Sequence, residues 1–147
     1  MIKITSGTAE HMERVFEIER EAISPPWSYE ALLEELKRED SFFIVALDDA
    51  APLAYAVLRR VGDDGELLRI ATRKDSRRGG VGDLLMSAVL EYARENAFNS
   101  IFLEVRSGNT AAIGLYEKHG FSPVRVREEY YDNPIEDAVV MAKGAVS

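Results

Sequence analysis

The sequence predicts a chain of the α/β (α+β) class, with one mixed central sheet of about six to seven strands and helices on both faces. Two features of the pattern carry this expectation. Residues 41–72 hold three consecutive strand-like runs separated by short turns of Asp, Gly and Ala, the pattern of an antiparallel meander. Residues 81–119 then read as helix, strand and helix before another strand, so a β-α-β unit follows the meander.

Each element has its own local reason. Ile2 and Ile4 alternate before Thr5-Ser6-Gly7, which reads as a short strand and turn. Residues 8–23 form a helix, because Met12, Val15, Phe16, Ile18 and Ile23 recur at helical spacing. Ser24-Pro25-Pro26 ends it, since proline lacks a donor and restricts the residue before it. Ser28 caps a second helix, residues 29–38, with Glu30 favourably placed in the first turn. Strands at 41–47 and 53–61 flank a hairpin loop at 48–51, and a turn at 62–65 leads to a third strand at 66–72. The helix at 81–96 presents Leu84, Leu85, Ala88, Val89 and Tyr92 on one apolar face. Residues 100–105 are almost continuously apolar, as a central strand requires. Ser107-Gly108-Asn109 leads into a helix at 110–119, and Gly120 sits where a left-handed C-cap belongs. Residues 121–130 and 138–143 are the last two strands.

A chain of 147 residues is expected to form a single domain, residues 1–147, around one core. Its 46% apolar and 30% charged content is that of a soluble globular protein. No apolar run is long enough to span a bilayer, and the N-terminus does not read as a secretory signal. The absence of cysteine excludes disulfides, thiol catalysis and cysteine metal ligands. His11 and His119 lie far apart in sequence, which argues against zinc. A cytoplasmic, metal-free protein with no membrane partner is the expectation. The net charge of −8 argues against nucleic-acid binding, which needs a basic face. Acidity either attracts cationic partners or only keeps the chain soluble.

The most informative stretch is Arg77-Arg78-Gly79-Gly80-Val81-Gly82, which opens the apolar-periodic helix beginning Asp83-Leu84-Leu85. Backbone N–H groups at a helix start lack intrahelical partners, and the helix dipole adds partial positive charge there. Glycines let an anion approach the main chain closely. The pattern therefore points to a phosphorylated small molecule. Arg69, Arg73, Lys74, Arg77 and Arg78 crowd just before the glycines, either as a solvated loop or as phosphate partners.

This order of elements, with Arg77, Gly80 and Gly82 matching the loop pattern Arg/Gln-x-x-Gly-x-Gly/Ala, resembles the GNAT superfamily of acyl-CoA N-acyltransferases. Further motifs look like one branch of it, the bacterial ribosomal-protein-alanine N-acetyltransferases. They are Pro26-Trp27-Ser28, Leu103-Glu104-Val105-Arg106, Asn109-Thr110-Ala111-Ala112-Ile113, Leu115-Tyr116-Glu117, Gly120-Phe121, Arg127 with Tyr130-Tyr131, and Glu136-Asp137-Ala138. The resemblance implies acetyl-CoA as co-substrate and the N-terminal amine of a protein, a ribosomal protein, as acceptor. It implies that Arg77, Arg78, Gly79, Gly80, Val81, Gly82 and Asp83 hold the coenzyme diphosphate. It places the pantetheine arm against Ile70, Ala71 and Thr72, with Asn109 as a further contact. Gly79 stands where the family often has Gln or Arg, and Thr72 where valine is common. Asp83 stands where a basic residue is common. A carboxylate there would repel a diphosphate by about 1 kcal/mol at ~4 Å in water, so Asp83 is expected to point outward.

Acyl transfer needs a neutral amine, donors for a developing oxyanion and a proton for the departing thiolate. An α-amine, with a reference pKa of about 8 against about 10.4 for lysine, needs only a weak base. Glu104 interrupts an apolar strand, where a carboxylate is costly unless solvated or paired. On residues alone it is either the base or a strand-end residue bridged to Arg106 or facing solvent. The resemblance implies the proton acceptor, acting directly or through water. Tyr116 is a packing aromatic or, by the resemblance, the acid that protonates sulfur. Asn109 also suits an N-cap. His119 reads as a helix-dipole partner. Trp27, Tyr130 and Tyr131 are core or acceptor-groove aromatics. Glu136 and Asp137 are surface charges or partners of a cationic N-terminus. Two alternatives stand beside the leading reading: an acetyltransferase for small amines or lysine side chains, and a non-catalytic acyl-CoA-binding module.

Overall fold

The computed structural model describes residues 1–77 and 79–144. In chain order the elements are β1 (Ile2–Ser6), α1 (Met12–Ala22), α2 (Tyr29–Lys37), β2 (Ser41–Asp48), β3 (Ala51–Val61), β4 (Asp64–Thr72), α3 (Val81–Glu95), β5 (Ser100–Arg106), α4 (Thr110–Lys118), β6 (Ser122–Tyr131) and β7 (Glu136–Gly144). Seven strands form one sheet in the order β1-β2-β3-β4-β5-β7-β6. The β4–β5 pair is parallel and the remaining pairs are antiparallel. The sequence-derived order of elements is thus the observed one. The first helix is shorter than expected, because residues 9–11 form a 3-10 turn in which the Thr8 N–H donates to His11 Nδ1 at 3.1 Å. β4 starts at Asp64, two residues early, because Gly62 takes φ +66° and completes the turn with Asp63.

Strand alternation sends apolar side chains to both faces. On β2, Phe43 and Val45 join Met12, Val15, Ile18 and Leu32 beneath α1 and α2, whereas Ile44 and Ala46 face the opposite core. That second core packs Leu85, Met86 and Val89 of α3 on Leu58, Ile101 and Leu103. Val15 and Leu85, each 0% exposed, mark these as two genuine interiors, so the sheet has no solvated face at its centre.

The seam between β4 and β5 positions the site. Their pairing is confined to Gly65 with Ile101 and Glu66 with Phe102. Just beyond, β4 carries a bulge: Val57 pairs with Arg69 and Leu58 with Leu67, leaving Leu68 as an extra residue. A bulge bends its strand and increases its twist. β4 therefore swings away from β5, and a wedge opens between Ile70–Thr72 and the C-terminal half of β5.

Candidate active site

A cleft of about 600 Å³ fills the wedge on the α3/α4 face. Its walls include Ile70, Ala71 and Thr72 of β4, Ser76 and Arg77 of the following loop, Gly80 to Asp83 at the start of α3, and Asn109, Ala111, Ala112, Leu115 and Tyr116 at the start of α4. Ala22 and Ile23, where α1 ends, close one side. The β4 edge that lost its partner faces the cleft with its main-chain groups, a platform for an extended amide-bearing chain.

Two helices point their N-termini here. In α3 the first intrahelical bond runs from Leu84 N–H to Gly80 O at 3.2 Å, so the N–H groups of Val81, Gly82 and Asp83 precede the ladder. The two glycines are needed for different reasons. Gly80 takes φ +81°, and a Cβ there would meet open space, so its requirement is conformational. Gly82 lies against α4, where a Cβ would sit 3.2 Å from Leu115 Cδ2. Asn109 caps α4, its Oδ1 accepting from Ala112 N–H at 3.1 Å, while the residue also lines the cleft. Asp83 does not point freely outward. It bridges to the last turn of α4, with His119 Nε2 at 2.9 Å and Lys118 Nζ at 3.1 Å. His119 and then Lys118 hold its carboxyl below the usual carboxylate range, and its charge is spent on them rather than on the cleft. His119 thus serves an ion pair between helices.

The basic cluster divides. Arg77 lines the cleft, with its Nε donating to Thr72 O at 3.2 Å. Arg73 pairs with Asp75, and Lys74 N–H donates to Glu21. Arg69 is no phosphate partner: its Nε donates to the fully buried Glu19 carboxylate at 3.0 Å on the α1/α2 side. Arg78 lies outside the described residues. Gly79 follows it in the loop but is not among the cleft walls.

Tyr116 is 7% exposed, packed beside Phe121 with ring centroids 6.0 Å apart, and lines the cleft. Burial, reinforced by the nearby Tyr131 phenol, pushes its phenol above the ordinary tyrosine range. Glu104 lies on the other face of β5, since Leu103 and Val105 enter the α3/α4 core. Glu104 is not among the cleft walls, and the sheet lies between it and Tyr116. Glu104 is not bridged to Arg106. Arg127 Nε stands 2.9 Å from its Oε2, and Tyr130 donates its hydroxyl to Oε1 at 3.4 Å. Oε2 is shut off from solvent, and Arg127 meets it as an ion pair without hydrogen-bond alignment.

Tyr130 and Tyr131 owe their positions to an irregularity in β6. Arg127 pairs with Ala138 and Tyr131 with Glu136, so four steps on β6 oppose two on β7. Glu129 takes φ +49° there, its N–H donating to Asp137 Oδ1 at 2.9 Å. Burial first, then the Glu104 carboxylate, pushes the Tyr131 phenol up to about 12. Tyr131 is the link between the two candidates. Trp27 sits half-buried among the α1/α2 apolar residues, under the Arg69 guanidinium at 4.1 Å, and is not a cleft wall. Glu136 is already paired, accepting from Gly108 N–H at 2.6 Å and from Arg106 at 3.2 Å, and Asp137 takes the Glu129 N–H.

Two features escape the residue patterns. Glu19 accepts from the Tyr55 hydroxyl, Arg69 and the Trp27 N–H (2.8 Å), a buried network that anchors the segment between α1 and α2. Its signal was Glu19 itself, four residues after Val15 on the apolar stripe of α1. Arg106 is the second. Its guanidinium donates to Ser24 O at 2.6 Å, Asp132 O at 2.9 Å, Pro134 O at 2.9 Å and Glu136 Oε1 at 3.2 Å, and lies 4.5 Å over the Tyr131 ring. It ties the α1–α2 segment to the β6–β7 hairpin.

A parallel seam prised open beside two helix N-termini, with the Tyr116 phenol in its wall, is the architecture of an acyl-transfer domain, and the chain belongs to the acetyltransferase (GNAT) family, whose profile matches residues 12–121. It is 34% identical over 133 residues to the ribosomal protein bS18-alanine N-acetyltransferase of Haemophilus influenzae, covering 88% of this chain and 90% of that one. The crystal structure of the ribosomal-protein-S18-alanine N-acetyltransferase from Escherichia coli superposes with a TM-score of 0.90 at 29% identity, over 98% of this chain and 94% of that one. The PaiA N-acetyltransferase from Thermoplasma acidophilum, solved in complex with coenzyme A, shares the fold with a TM-score of 0.84 at 21% identity, over 99% of each chain. Among the described residues no helix is long and apolar enough to cross a membrane.

Proposed function

We propose that this chain transfers the acetyl group of acetyl-CoA to the α-amine at a protein N-terminus, with a ribosomal protein as the acceptor class its relatives' names point to. The observation that carries the reading is the wedge itself: a cleft lined by Ile70–Thr72 of β4, which β5 leaves unpaired, by two helix N-termini and by Tyr116.

The residues fit the coenzyme. The N–H groups of Val81, Gly82 and Asp83, with Arg77 beside them, would hold the diphosphate. Ile70, Ala71 and Thr72 would hydrogen-bond the pantetheine amides along the strand edge, with Asn109 at the start of α4. Acetyl-CoA supplies the thioester acetyl group. Glu104 receives the amine's proton, directly or through a water. Tyr116 keeps its proton at neutral pH, because burial disfavours the phenolate, and so remains a donor for the leaving sulfur. The half-buried Tyr131 and exposed Tyr130 border the acceptor groove, which Arg106 roofs by holding the Ser24 segment to the hairpin.

Incubation with acetyl-CoA and two peptide sets, one with free α-amines and one with blocked termini but free lysines, tests the reading by mass spectrometry. Acetylation of the α-amines is expected. Exclusive lysine modification, or acetyl-CoA binding without turnover on any amine, refutes it.

A further inference from the structure

Glu104 is already occupied by a cation from its own chain. The ladder sets Glu104 opposite Val140, Val140 opposite Arg125, and Ala138 opposite Arg127, which places Glu104 and Arg127 on one face two strands apart. Ala138 is small, so the Arg127 side chain can lie back across β7. Its Nε reaches 2.9 Å from Glu104 Oε2, the oxygen closed to solvent. Tyr130 covers the other oxygen, and its ring lies 5.5 Å from the Arg127 guanidinium. A carboxylate so covered is not free to take a proton from an incoming amine. Yet the cover is light. Arg127 is 44% exposed, and its contact with Glu104 lacks hydrogen-bond alignment, so the guanidinium can swing into water.

We propose that Arg127 stands in for the acceptor's ammonium on Glu104, and that the acceptor enters by exchanging with it. This rests on Glu104 being the proton acceptor. An α-ammonium carries the same charge and the same donor character as the guanidinium, so it takes over the Oε2 position while Arg127 moves out beside Tyr130. Arg127 is thereby a specificity-determining residue. Acceptors that bring a cationic amine displace it; neutral nucleophiles of the same size leave the pair closed.

Arg127→Gln removes the competing charge at nearly constant length. The KM for an α-amine peptide is expected to fall about twofold to fivefold, the range an ion pair of this exposure is worth, with the KM for acetyl-CoA unmoved. Arg127→Ala leaves a vacancy that a free guanidinium can fill, so ethylguanidinium is expected to inhibit this variant competitively against peptide and the parent chain far less. A mere strut would not produce that difference. An unchanged or raised peptide KM in the Gln variant, or equal ethylguanidinium inhibition of both chains, overturns the exchange while leaving acetyl transfer standing. A parent chain that acetylates no α-amine overturns both together.

Discussion

Replacing Arg106 by methionine removes the clasp between the α1–α2 segment and the β6–β7 hairpin, which border the proposed acceptor groove, while keeping the length of the apolar stem. The Arg106 side chain is 19% exposed, and its guanidinium serves three backbone carbonyls besides the Glu136 carboxylate. Stripping one partner from a largely buried pair costs about 3–5 kcal/mol. Glu136 keeps the Gly108 N–H at 2.6 Å, so the lower end is the better figure. At about 3 kcal/mol, and roughly 2–4 °C per kcal/mol for a chain of this size, thermal unfolding should drop by roughly 6–12 °C. The functional consequence is separable from stability. Ser24 and the hairpin carbonyls of Asp132 and Pro134 lose their common anchor, whereas the α3 N-terminus is not in contact with Arg106 and the α4 cap keeps its own Asn109 bond. The peptide KM should therefore rise about tenfold below the new melting temperature, with acetyl-CoA affinity by calorimetry within twofold of the parent. Arg106→Lys keeps the charge for Glu136 but cannot reach all its oxygens or stack on Tyr131, and should fall between. A melting temperature within 1 °C of the parent, or loss of acetyl-CoA binding in step with peptide binding, would refute the clasp.

Tyr116→Phe should lower turnover by an order of magnitude or more while acetyl-CoA still binds, as stopped assays and calorimetry would show; an unchanged rate would reduce Tyr116 to packing. Gly80→Ala places a side chain at φ +81° in otherwise open space, so only backbone strain of about 1–2 kcal/mol is added. Melting should fall by a few degrees and acetyl-CoA affinity should weaken, and parity in both would contradict the cradle. The buried phenols of Tyr55 and Tyr116 and the half-buried phenol of Tyr131 are all raised, Tyr131 to about 12, by burial first in each case. The folded state then holds these protons more tightly than the unfolded chain, whose tyrosines ionise near pH 10. Stability is full below about pH 10 and declines as the pH climbs through the folded values. Urea denaturation at stepped alkaline pH should show that fall, with a smaller slope in Tyr55→Phe; stability rising above pH 10 would reverse the sign and the reasoning.

Much of the candidate site could be read from local pattern. The glycine-rich start of α3 and Asn109 as the cap of α4 depend on chain neighbours only, and Ile70–Thr72 came from the family resemblance; all three line one cleft. Elements were equally accessible: apolar spacing and turn residues fix where strands and helices lie to within two residues, save at the start of α1, which begins four residues late after a 3-10 turn. What failed was partner choice. Arg69 looked like part of the phosphate cluster, yet strand alternation turns it to Glu19. Glu104 takes Arg127 rather than its near neighbour Arg106, which spans to Ser24 and the hairpin. Asp83 is held by Lys118 and His119 rather than left to solvent. Each of these contacts joins residues far apart in the chain.

Sequence alone therefore determined the order of elements and the anion-ready helix start, since both are properties of short segments; the roles of Glu104 and Tyr116 rest on the family resemblance. Tertiary structure alone decided that the bulge at Leu68 opens the β4–β5 seam, that Tyr116 lines the cleft while Glu104 lies on the opposite face, and which cation covers that carboxylate. The physical reason is that ion pairing and strand divergence depend on register and distance between remote segments, and neither is written in the spacing of residues along one of them.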